Sequence, residues 1–273
     1  MFDGAKVNRA HYISEAHMPE VMIENNCCYY AISRRAPERG PAAVCVHGSG
    51  SDGIVWSYQL SRLSSSYRII VPDLPGHGRS DGLPLDSAAA YAAWLEQFCC
   101  ALALDTFFLL GHSLGGAVVQ EYARINLHRV RGMVLVGTGT CFMLSRIYRE
   151  LCESGEPPGD GAAAGGMPAG PFHEGYELLR SQCSGALHAD LMAAARFDSS
   201  EWVGSLVAPA MVVWGSRDAI TPRELPEELA GKLPRGRLQI IDGAGHVVMV
   251  DARNEFNRLV AEFIEQHRAA AST

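Results

Sequence analysis

The sequence is short of positive charge, of long apolar runs and of paired cysteines. Its 23 Lys and Arg stand against 30 Asp and Glu, a formal net charge of −7. A groove that tracks nucleic-acid phosphates needs a basic stripe, and no run of Lys and Arg is long enough to make one. That balance disfavours nucleic acid and anionic membrane surfaces as partners. No stretch approaches the ~18 uninterrupted apolar residues of a membrane span. Residues 1–20, with Asp3, Glu15 and Glu20 scattered through them, lack a signal peptide's apolar region. These shortages predict a cytoplasmic chain. Eight Cys in 273 residues are too few for a disulfide scaffold, and none forms the C-x-x-C pair of a zinc site or redox dithiol. The doublets Cys27-Cys28 and Cys99-Cys100 read as small buried hydrophobes, so free thiols and no metal are expected.

What is present is apolar and glycine-rich: 48% hydrophobic residues, 19% charged and 28 Gly. Such a chain can bury a large core, and its length suits one α/β unit carrying an insertion. Glu20–Ile23 and Cys28–Ser33 read as strands joined by a tight turn at Asn25-Asn26. From Ala43 the pattern changes. Ala43–Val46, Arg68–Val71, Phe107–Leu110, Met133–Val136, Met211–Trp214 and Leu238–Ile241 are short continuous apolar runs without alternation, as expected of strands buried on both faces. Helical segments lie between them, at Val55–Leu63, Ser87–Leu104, Gly116–Leu127, Pro222–Leu233 and Asn254–Gln266. Asp86 stands where an N-cap belongs, and Pro222 suits a first helical turn.

Strands alternating with helices predict an α/β fold, a mostly parallel sheet with helices on both faces. The alternation breaks between Cys141 and about Ser200, where Glu153–Pro171, rich in Gly, Pro and Ala, reads as a flexible loop. The expected organisation is therefore a core of residues 1–140 and 201–273 with a helical cap at 141–200. The cap enters at the carboxyl end of Met133–Val136, the edge where open α/β sheets bind ligands.

The string G-x-S-x-G occurs twice. Gly78-Arg79-Ser80-Asp81-Gly82 is surrounded by Pro72, Pro75 and Pro84 and opens no helix. Gly111-His112-Ser113-Leu114-Gly115 sits between a strand and a helix, the context in which a serine is presented on a sharp turn, and Ser113 is the candidate nucleophile. A hydroxyl needs a base oriented by a carboxylate to become a nucleophile near neutral pH. Asp218 follows the strand Met211–Trp214 and His246 follows Leu238–Ile241, so both emerge at the same sheet edge as Ser113. Asp242 is the rival acid, but it ends the base's own strand and would have to fold back. His47 and His77 lie in glycine turns that precede the serine, and His112 reads as a packing or tuning residue. Oxyanion donors are expected from the backbone N–H groups of Leu114 and of Ser49, the latter in the turn His47-Gly48-Ser49-Gly50.

These motifs, together with Asp73–Ser80, resemble the α/β-hydrolase superfamily, and the resemblance runs from about Glu20 to Gln266. It implies a serine hydrolase with a helical cap and no cofactor. Serine at the elbow argues against haloalkane dehalogenases and epoxide hydrolases, which use aspartate there. Carbon–carbon hydrolases of ring-fission products resemble this chain at His47–Gly50, but usually carry Asn where His112 stands and Trp where Val247 stands. Asp73–Ser80 is also similar to a loop of the menaquinone-pathway synthase and of pimeloyl-ester esterases.

The expected reaction is hydrolysis of a carboxylic ester or lactone of a small, largely apolar substrate through an acyl-enzyme. The alternatives are carbon–carbon hydrolysis of a ketonic acid and a ligand-sensing or scaffold role, and a binder has no need of all three triad groups. Phe142, Met143, Ile147, Tyr148, Phe172, Tyr176, Met192, Phe197 and Trp202 offer the cap apolar surface. Arg146, Arg149, Arg180 and Arg196 are its candidates to meet a carboxylate.

Overall fold

The apolar runs lack alternation because both faces of their strands are covered. In the computed structural model, which describes residues 16–33, 40–143, 145–146, 149 and 185–268, the side chains of Val44, Phe107, Leu109, Met133, Leu135 and Val212 enter one hydrophobic cluster. Their strand neighbours Ala43, Cys45, Phe108, Leu110, Val134, Val136 and Val213 enter a second cluster on the opposite face. Successive side chains point to opposite faces, so a strand sandwiched between two helical layers must be apolar at every position.

The described strands are β1 (Ala16–His17), β2 (Glu20–Ile23), β3 (Asn26–Ser33), β4 (Ala42–Val46), β5 (Arg68–Pro72), β6 (Phe107–His112), β7 (Val130–Val136), β8 (Ala210–Gly215) and β9 (Gly236–Ile241). They form one sheet in the order β1-β3-β5-β4-β6-β7-β8-β9, with β2 paired to β3. From β5 to β9 every pair is parallel, while β1 and β2 run antiparallel to β3 and β3 antiparallel to β5. The helices are α1 (Ser57–Arg62), α2 (Ala88–Ala101), α3 (Leu114–Asn126), α4 (Gly185–Ala195), α5 (Glu224–Lys232), α6 (Val248–Asp251) and α7 (Arg253–His267). Tyr91, Leu95, Tyr122 and Leu229 bring α2, α3 and α5 onto one face. Leu60, Met249, Phe256 and Val260 bring α1, α6 and α7 onto the other.

Local details correct the sequence reading. The hairpin turn is Glu24-Asn25, one residue earlier than expected, with φ of 47° and 68° and Ile23 paired to Asn26. Two positive φ values suit a two-residue turn that matches strand twist. Ser87, not Asp86, caps α2: its Oγ accepts the Ala90 N–H at 3.2 Å. Pro222 precedes α5, which starts at Glu224. β9 is an edge strand, so Leu238–Ile241 is not covered on both sides, and Ile240 is 42% exposed. Each cysteine doublet also splits, Cys28 and Cys99 being buried while Cys27 is half-buried and Cys100 exposed. In β3 successive side chains point to opposite faces, and in α2 Cys100 lies beyond the buried stripe that ends with Phe98 and Cys99. The six described cysteines are free thiols.

Beyond β7 the chain leaves and rejoins the core at one place. Cys141 bridges Asp198, and Ser199 donates its N–H to the Thr140 carbonyl at 2.8 Å and its hydroxyl to Gln120 at 2.7 Å. Within 141–200, α4 and the residues flanking the two junctions are described. The loop expected at Glu153–Pro171 lies outside the described residues, as do Ile147, Tyr148, Phe172, Tyr176 and Arg180. Phe142 and Phe197 are buried, with ring centroids 5.9 Å apart. Arg146 pairs with Asp198 at 2.6 Å, and Arg196 donates to the Asp86 carbonyl at 2.8 Å.

Candidate active site

Ser113 stands between β6 and α3 with φ 53° and ψ −119°. A non-glycine residue in that region costs on the order of 1–3 kcal/mol and persists only where its surroundings dictate it. Here the Ser113 N–H donates to the Val136 carbonyl at 2.9 Å, and the Gly116 N–H donates to the Ser113 carbonyl at 2.8 Å. The flanking glycines are steric requirements. A Cβ on Gly111 would lie 2.3 Å from the Gly115 carbonyl oxygen, and one on Gly115 would lie 2.4 Å from that of Val46. Ser113 occupies the N-cap position of α3. The Leu114 N–H therefore opens the helix without an intrahelical acceptor, and the positive end of the helix dipole faces this point.

The turn after β4 lies directly against the serine. A Cβ on Gly48 would come within 3.0 Å of the Ser113 Cβ, and Gly50 adopts φ 62°. Ser49 sits between these two glycines, in a turn closed by the Ser51 N–H on the Gly48 carbonyl at 3.3 Å.

The other two candidates meet. His246 Nδ1 lies 2.9 Å from Asp218 Oδ2, and the Asp218 side chain is fully buried. Asp218 Oδ1 accepts the Ile220 and Thr221 N–H groups at 2.8 and 2.9 Å. Burial alone would raise the Asp218 pKa, but the charge and hydrogen bond of His246, with those N–H groups, outweigh it and hold the carboxyl below its ordinary value. Thr221 is fixed in turn by its hydroxyl on the Gly137 carbonyl at 2.9 Å. Gly137 is also where the imidazole packs, since a Cβ there would approach His246 Nδ1 to 3.1 Å. Gly137 follows Val136, which accepts the Ser113 N–H, so the chain brings His246 and Ser113 to one point of the edge. Asp242 is exposed and accepts the Ser216 hydroxyl at 2.8 Å instead.

His112 and His47 support loops. His112 Nε2 bonds the His246 carbonyl at 3.1 Å, and the two rings are 4.7 Å apart. His47 Nε2 accepts the Leu74 N–H at 3.0 Å. Both are buried, which lowers their pKa values to about 3 and about 4 respectively. Ser80, the serine of the second G-x-S-x-G match, donates to the Asp73 carbonyl at 2.7 Å and accepts the Tyr29 N–H at 3.0 Å. It is a strut between β3 and the loop after β5.

Sequence reasoning missed Asp190 on α4. It is fully buried and accepts from the Gly50 N–H, His77 and the Tyr91 hydroxyl at 2.8, 2.8 and 2.7 Å. The available signal was helical spacing: Leu187, Asp190 and Leu191 share the buried face of α4, which places a carboxylate among apolar residues. Among the described residues no group of three or more His, Cys, Asp or Glu is arranged to hold a metal ion, and no helix is long and apolar enough to cross a membrane.

Comparison with known proteins agrees with this architecture. The chain is 27% identical over 252 residues to a pimeloyl-[acyl-carrier protein] methyl ester esterase of Aeromonas hydrophila, covering 83% of this chain and 96% of that one. It superimposes on a thermophilic esterase from Thermogutta terrifontis, solved with malate bound, with TM-score 0.70 and 26% identity over 92% of this chain and all of that one (100%). A meta-cleavage product hydrolase from Pseudomonas fluorescens shares the fold, with TM-score 0.69 at 20% identity over 93% of this chain and 99% of that one. Residues 43–259 match the model of the alpha/beta hydrolase family, and the chain belongs to that family.

Proposed function

We propose that the protein is a serine hydrolase that cleaves a carboxylic ester or lactone of a small, largely apolar molecule through an acyl-enzyme. The observation that carries this reading is Ser113 held at φ 53° on a strand-to-helix turn, at the edge where His246 meets Asp218 at 2.9 Å. His246 takes the proton of the Ser113 hydroxyl as it attacks the carbonyl carbon, and Asp218 holds the imidazole with Nδ1–H directed at the carboxylate, leaving Nε2 as the base. The developing oxyanion is received by the Leu114 N–H at the start of α3 and by the Ser49 N–H of the facing turn. His246 then returns the proton to the leaving alkoxide. Water, deprotonated by the same imidazole, releases the acid and regenerates Ser113.

An ester is favoured over a carbon–carbon substrate because the full-length similarity to a methyl ester esterase stands at 27% identity, whereas likeness to the meta-cleavage hydrolase is one of fold. The segment 141–200 acts as the cap that encloses the substrate. Fluorophosphonate labelling followed by peptide mapping tests the reading, together with turnover of esters, thioesters, lactones and ring-fission acids. Label on Ser113, and loss of ester or lactone turnover in Ser113→Ala, are expected. Label elsewhere, or undiminished turnover by Ser113→Ala, would sink it.

A further inference from the structure

We infer that Asp190 is a positioning residue for the oxyanion turn, an inference that rests on the serine-hydrolase reading above. The carboxylate gathers three donors from three separate parts of the chain. Oδ2 accepts the Gly50 N–H at 2.8 Å and lies 2.8 Å from His77 Nε2, and Oδ1 accepts the Tyr91 hydroxyl at 2.7 Å. Asp190 belongs to α4, Gly50 to the turn after β4, His77 to the loop after β5 and Tyr91 to α2. One fully buried side chain thus ties the helix of the 141–200 segment to the turn that carries Ser49.

The bond to Gly50 has a consequence for its neighbour. Gly50 N–H and Ser49 C=O belong to one rigid peptide plane, so fixing that N–H fixes the plane into which Ser49 leads. Gly50 adopts φ 62°, a region where glycine swings freely, and needs an external anchor to hold one orientation. Leu187, one turn earlier on α4, closes the other side: a Cβ on Gly50 would meet the Leu187 Cβ at 3.0 Å. The turn is gripped by α4 through one polar and one apolar contact.

A carboxylate beside an oxyanion turn would oppose the charge that develops there, unless that carboxylate is neutralised. His77 supplies the neutralisation. Its Nδ1 faces the Pro75 carbonyl at 2.9 Å, an acceptor only, so Nδ1 carries a proton. Nε2 faces Asp190, so the pair shares one further proton. Burial would lower the His77 pKa, but the hydrogen bond and charge of Asp190, with the Pro75 carbonyl, outweigh it and raise it. With that one proton between them the pair is neutral as a unit, whichever atom holds it, and Asp190 can orient Gly50 without repelling the oxyanion.

The test compares Asp190→Ala, Asp190→Asn and the wild type on a compact aryl ester. Each preparation is titrated with a fluorophosphonate, so that kcat is expressed per labelled Ser113. Removing all three bonds with Ala should lower kcat by about 30-fold or more with KM within about threefold, because the oxyanion donor matters in the transition state. Asn, which keeps one oxygen acceptor, should lose about tenfold in kcat. The rate of phosphonylation should fall in parallel, while the acid limb of the pH profile keeps its midpoint, since His246 and Asp218 are untouched. A purely structural role would lower the unfolding midpoint and leave kcat per labelled site unchanged, and that result overturns the inference. If Asp190→Ala does not fold, Asp190→Asn decides alone by the same criterion. Failure of the wild type to label at Ser113 removes the serine-hydrolase reading and this inference with it. Normal wild-type labelling with unaffected Asp190 variants removes only the inference.

Discussion

Acidification from about pH 7 to pH 5 should cost the fold about 4 kcal/mol through two buried histidines. His47 faces the Gly48 carbonyl through Nδ1 at 2.9 Å and accepts the Leu74 N–H through Nε2 at 3.0 Å. A second proton would break the Leu74 bond and bury a charge, so burial, with the nearby charge of His77, holds its pKa at about 4. His112 donates Nε2–H to the His246 carbonyl and leaves Nδ1 buried without a partner among the described residues. Burial, with the nearby charge of His246, holds its pKa at about 3.

Unfolding returns both to about 6.5. Because the folded values lie below the unfolded ones, the unfolded chain binds more protons. Stability is whole above about pH 6.5 and falls with acid until the folded pKa values are reached. The slope is about 1.4 kcal/mol per pH unit for each histidine, or about 2 kcal/mol apiece across this interval. Urea unfolding followed by tryptophan fluorescence measures it, with His112→Gln as the comparison, since the amide still donates to the His246 carbonyl but does not titrate. Through these two histidines the wild type should lose about 4 kcal/mol and the variant about 2, so the measured losses should differ by about 2 kcal/mol. His77 and Asp73 shift the other way, but equally in both proteins, and cancel in the difference. Wild type and variant curves of equal pH slope would refute the reasoning.

Further expectations follow from single contacts. Asp218→Asn should lower kcat at neutral pH by about four orders of magnitude, whereas the exposed Asp242→Asn should stay within about threefold of wild type in steady-state assays. Gly115→Ala drives a Cβ to 2.4 Å from the Val46 carbonyl oxygen, a backbone atom that cannot turn aside; chemical denaturation should register a loss of about 3 kcal/mol or more. Ser80→Ala removes one donor and one acceptor from a partly buried strut and should cost about 1–3 kcal/mol, while fluorophosphonate labelling of Ser113 proceeds at the wild-type rate. If 141–200 encloses the site, kcat/KM should be higher for compact aryl esters than for long-chain triacylglycerols, without a rate jump above micelle formation.

The parallel sheet was legible because covering both faces of a strand leaves an unmistakable run such as Phe107–Leu110. The edge strand β9 reads the same way although Arg237 and Gln239 interrupt its apolar residues, the polar content expected of a strand exposed on one side. Boundaries slipped where two adjacent residues offer the same chemistry: Asp86 and Ser87 are both N-cap formers, and Ser87 is the one whose side chain meets the Ala90 N–H. Ser113, Asp218 and His246 could be picked out because each follows a strand, and parallel strands deliver their ends to one edge. Asp190 could not be read that way. Helical spacing with Leu187 and Leu191 marks it as buried, but its partners are a main-chain N–H, a histidine and a tyrosine about 100 to 140 residues away in sequence, which no periodicity names.

That difference has a physical root. Apolar packing is non-directional and places a helix on a sheet, but it does not aim an N–H group. The turn after β4 is aimed by two buried carboxylates. Asp190 takes the Gly50 N–H, and Asp73 takes the Gly53 N–H at 2.8 Å and the Arg79 N–H at 3.0 Å. Each carboxylate costs desolvation, visible for Asp73 as a pKa raised by burial in spite of both N–H bonds. The cost propagates into the sequence of the next loop. A Cβ at position 78 would lie 2.3 Å from Asp73 Oδ2, and Gly78 itself has φ 55°, so the carboxylate that fixes the turn also dictates glycine there. The Asp-x-x-x-x-Gly spacing of Asp73–Gly78 is therefore a support for the turn carrying Ser49, imposed by the geometry of one carboxylate.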